Sequence, residues 1–174
     1  MNIVLVGLSG SGKTTVGKLI EKYLPDLKFV DTDEIIVRNE NRSINDIFEK
    51  DGEENFRNIE KSVVEKVSEE NNMIISTGGG VILNKTNTDN LKKNGILFYL
   101  KTSPEIIAKR LKDDNTRPLL KVDDITEKLT NMLDVRGKLY QEADFTVNTD
   151  SLSPEQTAEF IVKEYKNAGS KRKN

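Results

Sequence analysis

Residues 5–15 read LVGLSGSGKTT, between an apolar start and the helix-like run VGKLIEKYL. Within it the pattern G-x-x-x-x-G-K-[ST] follows a strand and opens a helix, as phosphate binding requires. Backbone N–H groups can surround phosphate oxygens there, with Lys13 reaching the β and γ phosphates and Thr14 ligating Mg²⁺. The alternative is a plain Gly/Ser turn before a helix with an exposed lysine. The predicted nucleotide-binding residues are Gly10, Ser11, Gly12, Lys13, Thr14 and Thr15.

Two acids in the stretch VDTDEII, Asp31 and Asp33, close the second predicted strand. Ligands of doubly wound sheets bind at the carboxyl ends of strands, so we expect both carboxylates to face the phosphate loop. One can help to hold Mg²⁺ through its water shell, and the other can accept a hydrogen bond from an attacking hydroxyl. The alternative is that Asp33 only caps a helix beginning at Glu34.

The segment 53–67 has the spacing of an amphipathic helix, and Glu60 falls inside its apolar stripe. A glutamate in that position needs a partner, and Arg57 lies three residues earlier. Glu60 could therefore hold the Arg57 guanidinium in a fixed orientation. An ordinary surface ion pair is the simpler interpretation.

Arg136 occupies the centre of a second apolar stripe, where an aliphatic residue is expected. A buried guanidinium without an anion is very costly, so either an internal acid or a negatively charged ligand should meet it. The run STGGG, which contains Gly78, Gly79 and Gly80, would allow close backbone approach and offer N–H donors to an oxygen-rich ligand. A plain tight turn is again the alternative.

The elements that position these residues alternate between short apolar runs and helical patterns. Such strands are typical of a parallel sheet covered on both faces, which predicts an α/β doubly wound fold. Helices are predicted to begin at Ser103-Pro104-Glu105 and Ser153-Pro154-Glu155, each with a capping serine and a proline at the first helical position. The five predicted strands are residues 2–6, 28–31, 73–77, 96–100 and 144–148.

Composition limits the possible chemistry and partners. The chain has 174 residues and neither Cys nor His, which excludes disulfides, thiolate nucleophiles, Ser-His-Asp triads and imidazole or thiolate zinc sites. A net charge of −2 gives no overall basic field for nucleic acid. The sequence has no signal peptide or spanning run, so we expect no membrane partner and a cytoplasmic location. A single domain is predicted over 1–168, followed by a flexible basic tail at 169–174.

Several pieces of the chain together resemble shikimate kinase over nearly its full length. They are GLSGSGKTT, DTD, FRNIE, STGGG, the RPLL segment at 117–120, and Arg136 followed by LY and EAD. The resemblance implies transfer of the γ-phosphoryl group of ATP to the 3-hydroxyl of shikimate, on the chorismate route to aromatic amino acids. It also implies a fold of the nucleoside monophosphate kinase type, with a mobile lid at about 112–123.

The resemblance also implies roles for individual residues. Asp33 would bind the shikimate hydroxyls, and the backbone of the glycine run, Gly79 above all, would contact the substrate. Arg57 and Arg136 would hold its carboxylate. Magnesium would be served by Thr14 and Asp31, and Arg110 and Pro154 would flank adenine. Arg117 would close from the lid over the phosphoryl group, so the expected catalytic residues are Asp33, Lys13 and Arg117. We expect a monomer that uses ATP and Mg²⁺.

Two alternatives remain open at this point. Ser9 and Ser11 make the phosphate loop partly similar to that of gluconate kinases, so another small-molecule kinase, acting on gluconate or a nucleoside monophosphate, is the nearest alternative. A regulatory module that binds nucleotide without transferring phosphate is the other. That module would be expected to lack the acceptor-site acid or the arginines, yet all of them are present.

Overall fold

The computed structural model describes residues 1–112 and 125–171. Its centre is a five-stranded sheet in which every neighbouring pair is parallel. The strands are β1 Asn2–Val6, β2 Lys28–Asp31, β3 Met73–Ser76, β4 Gly95–Lys101 and β5 Phe145–Asn148, in the order β2-β3-β1-β4-β5. The predicted strands and the α/β doubly wound class are therefore confirmed.

Helices connect the strands and cover both faces of the sheet. They are α1 Lys13–Tyr23, α2 Thr32–Glu40, α3 Ile44–Glu69, α4 Lys85–Asn94, α5 Pro104–Lys112, α6 Ile125–Tyr140 and α7 Pro154–Lys171. A single 3₁₀ turn, Val81–Leu83, follows β3. Both Ser-Pro-Glu segments begin helices at the proline as predicted, and Ser153 caps α7 by accepting from the Gln156 amide at 3.2 Å.

The central strand β1 is buried along its whole length and divides the core in two. Val4 and Val6 face a cluster that includes residues of α3 and α6, whereas Ile3 and Leu5 face a cluster with residues of α1 and α7. This alternation follows from the two-residue period of a strand. A strand buried on both faces reads as a nearly continuous apolar run, which explains Ile3–Val6, while the buried Asn2 side chain is hydrogen-bonded to the Glu70 carbonyl and the Met73 amide.

The register of the sheet aligns the ends of three strands at one edge. Ser76 pairs with Leu5 on one side and with Asp31 on the other. The residues that follow β1, β2 and β3 therefore emerge side by side. The chain also changes direction across the sheet at β1, and such a switch point is where ligands bind in this architecture.

Three boundaries differ from the sequence-based predictions. Helix α2 begins at Thr32 and not at Glu34, because β2 passes into it without a loop. Helix α3 extends back to Ile44, but its backbone breaks at Gly52, where φ is 82° and ψ 170°, so a separate helical segment does begin at the predicted residue 53. Helix α7 continues to Lys171 and so includes the first residues of the predicted tail at 169–174. The predicted lid and Arg117 lie outside the described residues. Within residues 1–112 and 125–171, none of the helices combines the length and the apolar character that spanning a membrane requires.

Candidate active site

The phosphate loop connects β1 to α1 and has the backbone that its glycines permit. Gly7, Gly10 and Gly12 have φ values of 147°, 85° and 97°, in the region that residues with a Cβ rarely adopt. Lys13 is 7% exposed, and its amine donates to the carbonyls of Gly7 and Leu8 at 2.8 and 2.9 Å. The lysine therefore lies over the loop, at the N-terminus of α1, where a phosphate would bind.

A cleft of about 430 Å³ opens above this loop. Its polar lining combines the loop with the acidic end of β2 and the end of β3. Asp31, Asp33 and Glu34 all line it, as Arg110 does from α5. The prediction that both aspartates face the phosphate loop is confirmed. The loop residues that line the cleft are Ser9, Gly10, Gly12, Lys13, Thr14 and Thr15.

Asp31 connects three elements through its carboxylate. Its Oδ2 accepts from the hydroxyls of Thr14 at 3.0 Å and Ser76 at 2.8 Å, and its Oδ1 accepts from the Asp33 amide at 3.0 Å. Asp31 is therefore the cap of α2, and the alternative that Asp33 caps a helix from Glu34 is wrong. Asp33 instead belongs to the first turn of α2. Sequence reasoning overlooked the Ser76 hydroxyl, although its pairing with Asp31 across two strands follows from the register.

The Thr14 hydroxyl and the Asp31 carboxylate suit a hard cation, because oxygen ligands of this kind are those Mg²⁺ prefers. Within the described part of the chain, no group of three or more acidic, His or Cys side chains could hold a metal ion. A cation here would thus take few protein ligands, as Mg²⁺ does when nucleotide phosphates and water complete its shell.

Three consecutive glycines after β3 each pack against a different predicted site residue. A Cβ at Gly78 would lie 2.7 Å from Asp33 Oδ1, and one at Gly80 would lie 2.5 Å from both terminal nitrogens of Arg57. Between them, the Gly79 carbonyl accepts from Arg136 Nη1 at 3.2 Å. The loop therefore brings together Asp33, Arg57 and Arg136, which are far apart in sequence, and is more than a tight turn.

Arg57 and Glu60 form the pair predicted from the α3 stripe. Nη1 of Arg57 donates to Glu60 Oε2 at 2.8 Å, and Glu60 is 1% exposed, so this is no surface ion pair. Burial raises the pKa of Glu60, and attraction to Arg57 opposes that shift. Burial works to lower the pKa of Arg57, but Glu60 and Glu53 outweigh it and the pKa is raised. The remaining donors of Arg57, Nε and Nη2, meet Glu53 at 3.3 and 3.2 Å.

Arg136 lies on the inward face of α6, between the buried side chains of Leu129 and Tyr140. It is half-buried, and among residues 1–112 and 125–171 no acid lies within salt-bridge distance of it. Its guanidinium donates to a neutral carbonyl, that of Gly79. Among the described residues no acid forms a salt bridge with Arg136, although the buried Glu60 carboxylate attracts it from farther away. Of the two alternatives left by the sequence, this favours the negatively charged ligand.

A second pocket of about 260 Å³ adjoins the phosphate loop on the side of β5. Arg110 and Pro154, the two residues expected to flank adenine, both line it, together with Thr149. The Arg110 guanidinium approaches the Ser11 carbonyl at 3.5 Å and lines the first cleft as well. The buried Ser11 hydroxyl has no hydrogen-bond partner in the described part of the chain.

The structure thus groups nearly all of the predicted residues at one edge of the sheet, with Arg117 outside the described residues. Two contributors were overlooked besides Ser76. The Thr32 hydroxyl accepts from the Gly78 amide at 3.1 Å, and the Tyr140 hydroxyl donates to the Gly79 carbonyl. Tyr140 lies in the LY pair after Arg136, but no local pattern indicates which atom it would reach.

Comparison with known proteins places this arrangement among shikimate kinases. The family model described as Shikimate kinase matches residues 9–166. A shikimate kinase of Caldicellulosiruptor saccharolyticus is 48% identical over 171 residues, 98% of this chain and 99% of the relative. One from Thermodesulfovibrio yellowstonii is 44% identical, with 94% of each chain covered. The solved shikimate kinase of Acinetobacter baumannii in complex with shikimate is 37% identical, with a TM-score of 0.89 over 96% of this chain and 93% of that one.

Proposed function

Because the chain belongs to the shikimate kinase family, we propose that this cleft transfers the γ-phosphoryl group of ATP to the 3-hydroxyl of shikimate, giving 3-phosphoshikimate and ADP. One observation carries the residue assignments. Gly78, Gly79 and Gly80 lie against Asp33, Arg136 and Arg57, respectively, at the edge of the phosphate cleft. An acid to meet a hydroxyl and two guanidinium groups to meet a carboxylate are therefore neighbours.

In this proposal Arg57 and Arg136 bind the carboxylate of the acceptor. Each guanidinium can offer paired N–H donors to a planar carboxylate. Glu60 keeps Arg57 oriented from a buried position, and the Gly79 carbonyl holds one nitrogen of Arg136. Arg136 forms no salt bridge with an acid among the described residues, which favours an anion supplied by the substrate.

Asp33 orients the attacking hydroxyl and collects its proton. An aspartate carboxylate is too weak a base to ionise an alcohol in advance. In a loose phosphoryl-transfer transition state, however, the proton leaves late, so a well-placed acceptor is sufficient. The hydroxyl oxygen forms a bond to the γ-phosphorus, the bond from phosphorus to the β–γ bridging oxygen breaks, and the proton passes to Asp33.

The phosphate end of the cleft stabilises negative charge. Lys13 and the N-terminal amides of α1 meet the phosphate oxygens. Arg117, which lies outside the described residues, is proposed to add its positive charge there. Mg²⁺ would be held by Thr14 and, through water, by Asp31, and would neutralise charge on the β and γ phosphates. Arg110 and Pro154 border the adenine in the adjoining pocket, which continues from the phosphate loop as a nucleotide requires.

An ADP-release assay across four acceptors, shikimate, gluconate, a nucleoside monophosphate and an uncharged polyol, tests the proposal. Shikimate should be phosphorylated far faster than gluconate or a nucleoside monophosphate, because only shikimate presents a hydroxyl and a carboxylate on one rigid ring. Faster turnover of gluconate or of an uncharged polyol would overturn the assignment. ADP binding with no transfer to any acceptor would favour the regulatory-module alternative.

The arginines are tested by Arg136→Leu, with Lys138→Leu as the control because Lys138 is an exposed cation on the same helix. Calorimetry should show shikimate binding abolished in the first variant and retained in the second. ADP affinity should be unchanged in both. The melting temperature of Arg136→Leu should equal or exceed that of the wild type, since a half-buried cation without an acidic partner is removed. A large loss of stability would instead make Arg136 a structural residue.

We also propose that the enzyme acts as a monomer in the cytoplasm. One chain supplies the phosphate loop, the acid at the end of β2, the glycine loop and both arginines, which supports catalysis without a partner. The cytoplasm is where ATP is available as the co-substrate.

A further inference from the structure

Tyr140 ends α6 and is held in place by its surroundings. It is completely buried, and its ring stacks on that of Tyr99 from β4, with centroids 4.8 Å apart and planes 9° from parallel. Parallel rings in van der Waals contact leave the phenol one orientation. The hydroxyl oxygen therefore has a defined position, and what it reaches is set by the core and not by solvent.

The hydroxyl reaches the carbonyl of Gly79, which also accepts from Arg136 Nη1 at 3.2 Å. A carbonyl oxygen has two lone pairs, so these two donors use its capacity fully. Among the described residues only Arg136 and Tyr140 donate to it. With one lone pair occupied by the phenol, the guanidinium has a single direction from which to bond.

Gly79 also contacts the phosphate loop. A Cβ added there would lie 3.0 Å from the Ser9 amide nitrogen and 3.5 Å from the Gly7 carbonyl oxygen. The same peptide thus touches the nucleotide side of the cleft and the arginine assigned to the acceptor. A group that holds this peptide determines how far apart the two sides are.

We infer that Tyr140 is a positioning residue for the acceptor, which acts by fixing the Gly79 carbonyl and, through it, the guanidinium of Arg136. This inference rests on the proposed function, since it assigns Arg136 to the substrate carboxylate. A guanidinium held in its binding orientation loses less freedom when the substrate arrives, so preorganisation raises affinity. Removing the phenol hydroxyl frees one lone pair, and Arg136 can then bond the carbonyl from several directions.

The phenol remains a donor under all working conditions. Burial raises the pKa of Tyr140 well above its ordinary value, and the attraction of Arg136 opposes that shift without cancelling it. The hydroxyl therefore stays protonated, and the effect of Tyr140 on the acceptor should not change between mildly acidic and alkaline pH.

Tyr140→Phe tests the inference, with Tyr99→Phe as the matched control. Both variants remove a hydroxyl from the same pair of stacked, buried rings, but only Tyr140 donates to Gly79. Calorimetry at saturating ADP should show the shikimate Kd raised about tenfold in Tyr140→Phe, equivalent to about 1.4 kcal/mol. The Kd for ADP should match the wild type in both variants, and Tyr99→Phe should bind shikimate normally.

The outcomes separate the inference from the proposed function. A wild type that binds ADP but not shikimate overturns the proposed function and the inference with it. If the wild type binds shikimate and Tyr140→Phe binds it equally well, the inference alone is overturned. A Tyr140→Phe chain that has lost ADP binding together with shikimate binding also overturns it, because the hydroxyl would then be required for folding. A selective loss of acceptor affinity is the supporting result.

Discussion

At the scale of residues, Asp33 and Glu60 show how two carboxylates against one glycine can differ in role. A Cβ at Gly78 would lie 2.7 Å from Asp33 Oδ1 and 3.1 Å from Glu60 Oε1. Glu60 is buried and bonded to Arg57, so it can only orient its neighbour. Asp33 lines the open cleft, where a substrate hydroxyl can reach it. Surroundings, and not residue type, favour Asp33 for the reactive role that we propose.

Asp33→Asn should lower kcat by about 10² to 10⁴, the usual contribution of a positioned proton acceptor. The fold and the Kd for ADP should be unchanged, because the cap of α2 uses the backbone amide of residue 33 and the side chain of Asp31. Rapid-quench measurement of phosphoryl transfer and calorimetry with ADP check both expectations.

The control for that variant is Glu34→Gln, which removes an acid from the next position in the same cleft. Its turnover should stay close to that of the wild type. Near-normal turnover of Asp33→Asn, or an equal loss in both variants, would contradict the role given to Asp33.

Glu60→Gln should weaken shikimate binding about tenfold, or about 1.4 kcal/mol, because Arg57 loses its buried partner. The same variant should be as stable as the wild type or more stable at neutral pH. The pKa of Glu60 is raised in the folded protein, so the folded state holds this proton more tightly than the unfolded chain does. Ionising Glu60 therefore lowers the free energy of unfolding as pH rises from the ordinary value of 4.5 through the raised pKa.

Because glutamine cannot ionise, the melting temperature of the Glu60→Gln variant should match that of the wild type below pH 4.5. At neutral pH it should equal or exceed that of the wild type. Melting curves across the pH range measure this difference. Glu65→Gln, on the exposed face of the same helix, should show neither effect. A variant less stable than the wild type only at neutral pH would show that the ionised pair is net stabilising.

At the scale of elements, the two glycine-rich loops are glycine-rich for different reasons. The phosphate loop needs glycine for its backbone, since Gly7, Gly10 and Gly12 have positive φ. None of the three glycines after β3 has a positive φ. They are required because neighbouring side chains pack directly against the backbone and leave no room for a Cβ. Substitution should therefore damage the second loop through its neighbours and leave its conformation intact.

Gly80→Ala should raise the shikimate Kd by about tenfold or more, since the new methyl group would meet the Arg57 nitrogens at 2.5 Å and displace the guanidinium. The ADP Kd should not change. Calorimetry with each ligand measures both values, and an unaltered shikimate Kd would contradict the placement of Arg57 in the acceptor site.

Gly137→Ala is the control for this substitution. A Cβ there would meet Leu133 at 3.8 Å, an ordinary contact, in the interior of α6. The variant should bind shikimate normally and be more stable by about 0.5–1 kcal/mol, because alanine is the better helix former. Urea unfolding checks the stability.

At the scale of the whole molecule, the site exists because parallel strands end at one edge. The phosphate loop and the glycine loop follow β1 and β3, and Asp31 ends β2 between them in the cleft. Helix α6 packs over the glycine loop through Arg136 and Tyr140. Each part belongs to a different segment of one chain, so the intact domain is the smallest unit that can carry out the reaction.

Activity per molecule should therefore stay constant on dilution over about two orders of magnitude, as expected for a folded monomer without linked assembly. Light scattering in the same buffer should give the mass of one chain. Specific activity that falls on dilution, together with a heavier species at high concentration, would show that a second chain contributes.

The sequence alone determined the elements and the chemical inventory. Strand bounds, the phosphate loop and the helix starts at Pro104 and Pro154 depend on local periodicity, backbone preference and capping, which neighbouring residues carry. The pairing of Arg57 with Glu60 was accessible for the same reason, since three residues separate them on one helix. The start of α2 could not be predicted in this way, because β2 ends at Asp31, which also caps the helix.

The tertiary structure decided which of these groups meet. Ser76 reaches Asp31 across 45 residues of chain, and Tyr140 reaches Gly79 across 61. The first contact depends on strand register and the second on how α6 packs against β4, and neither is encoded in any short window. Residue type supplied the acids, the arginines and the glycines, whereas long-range packing decided which of them share a cleft and which only support it.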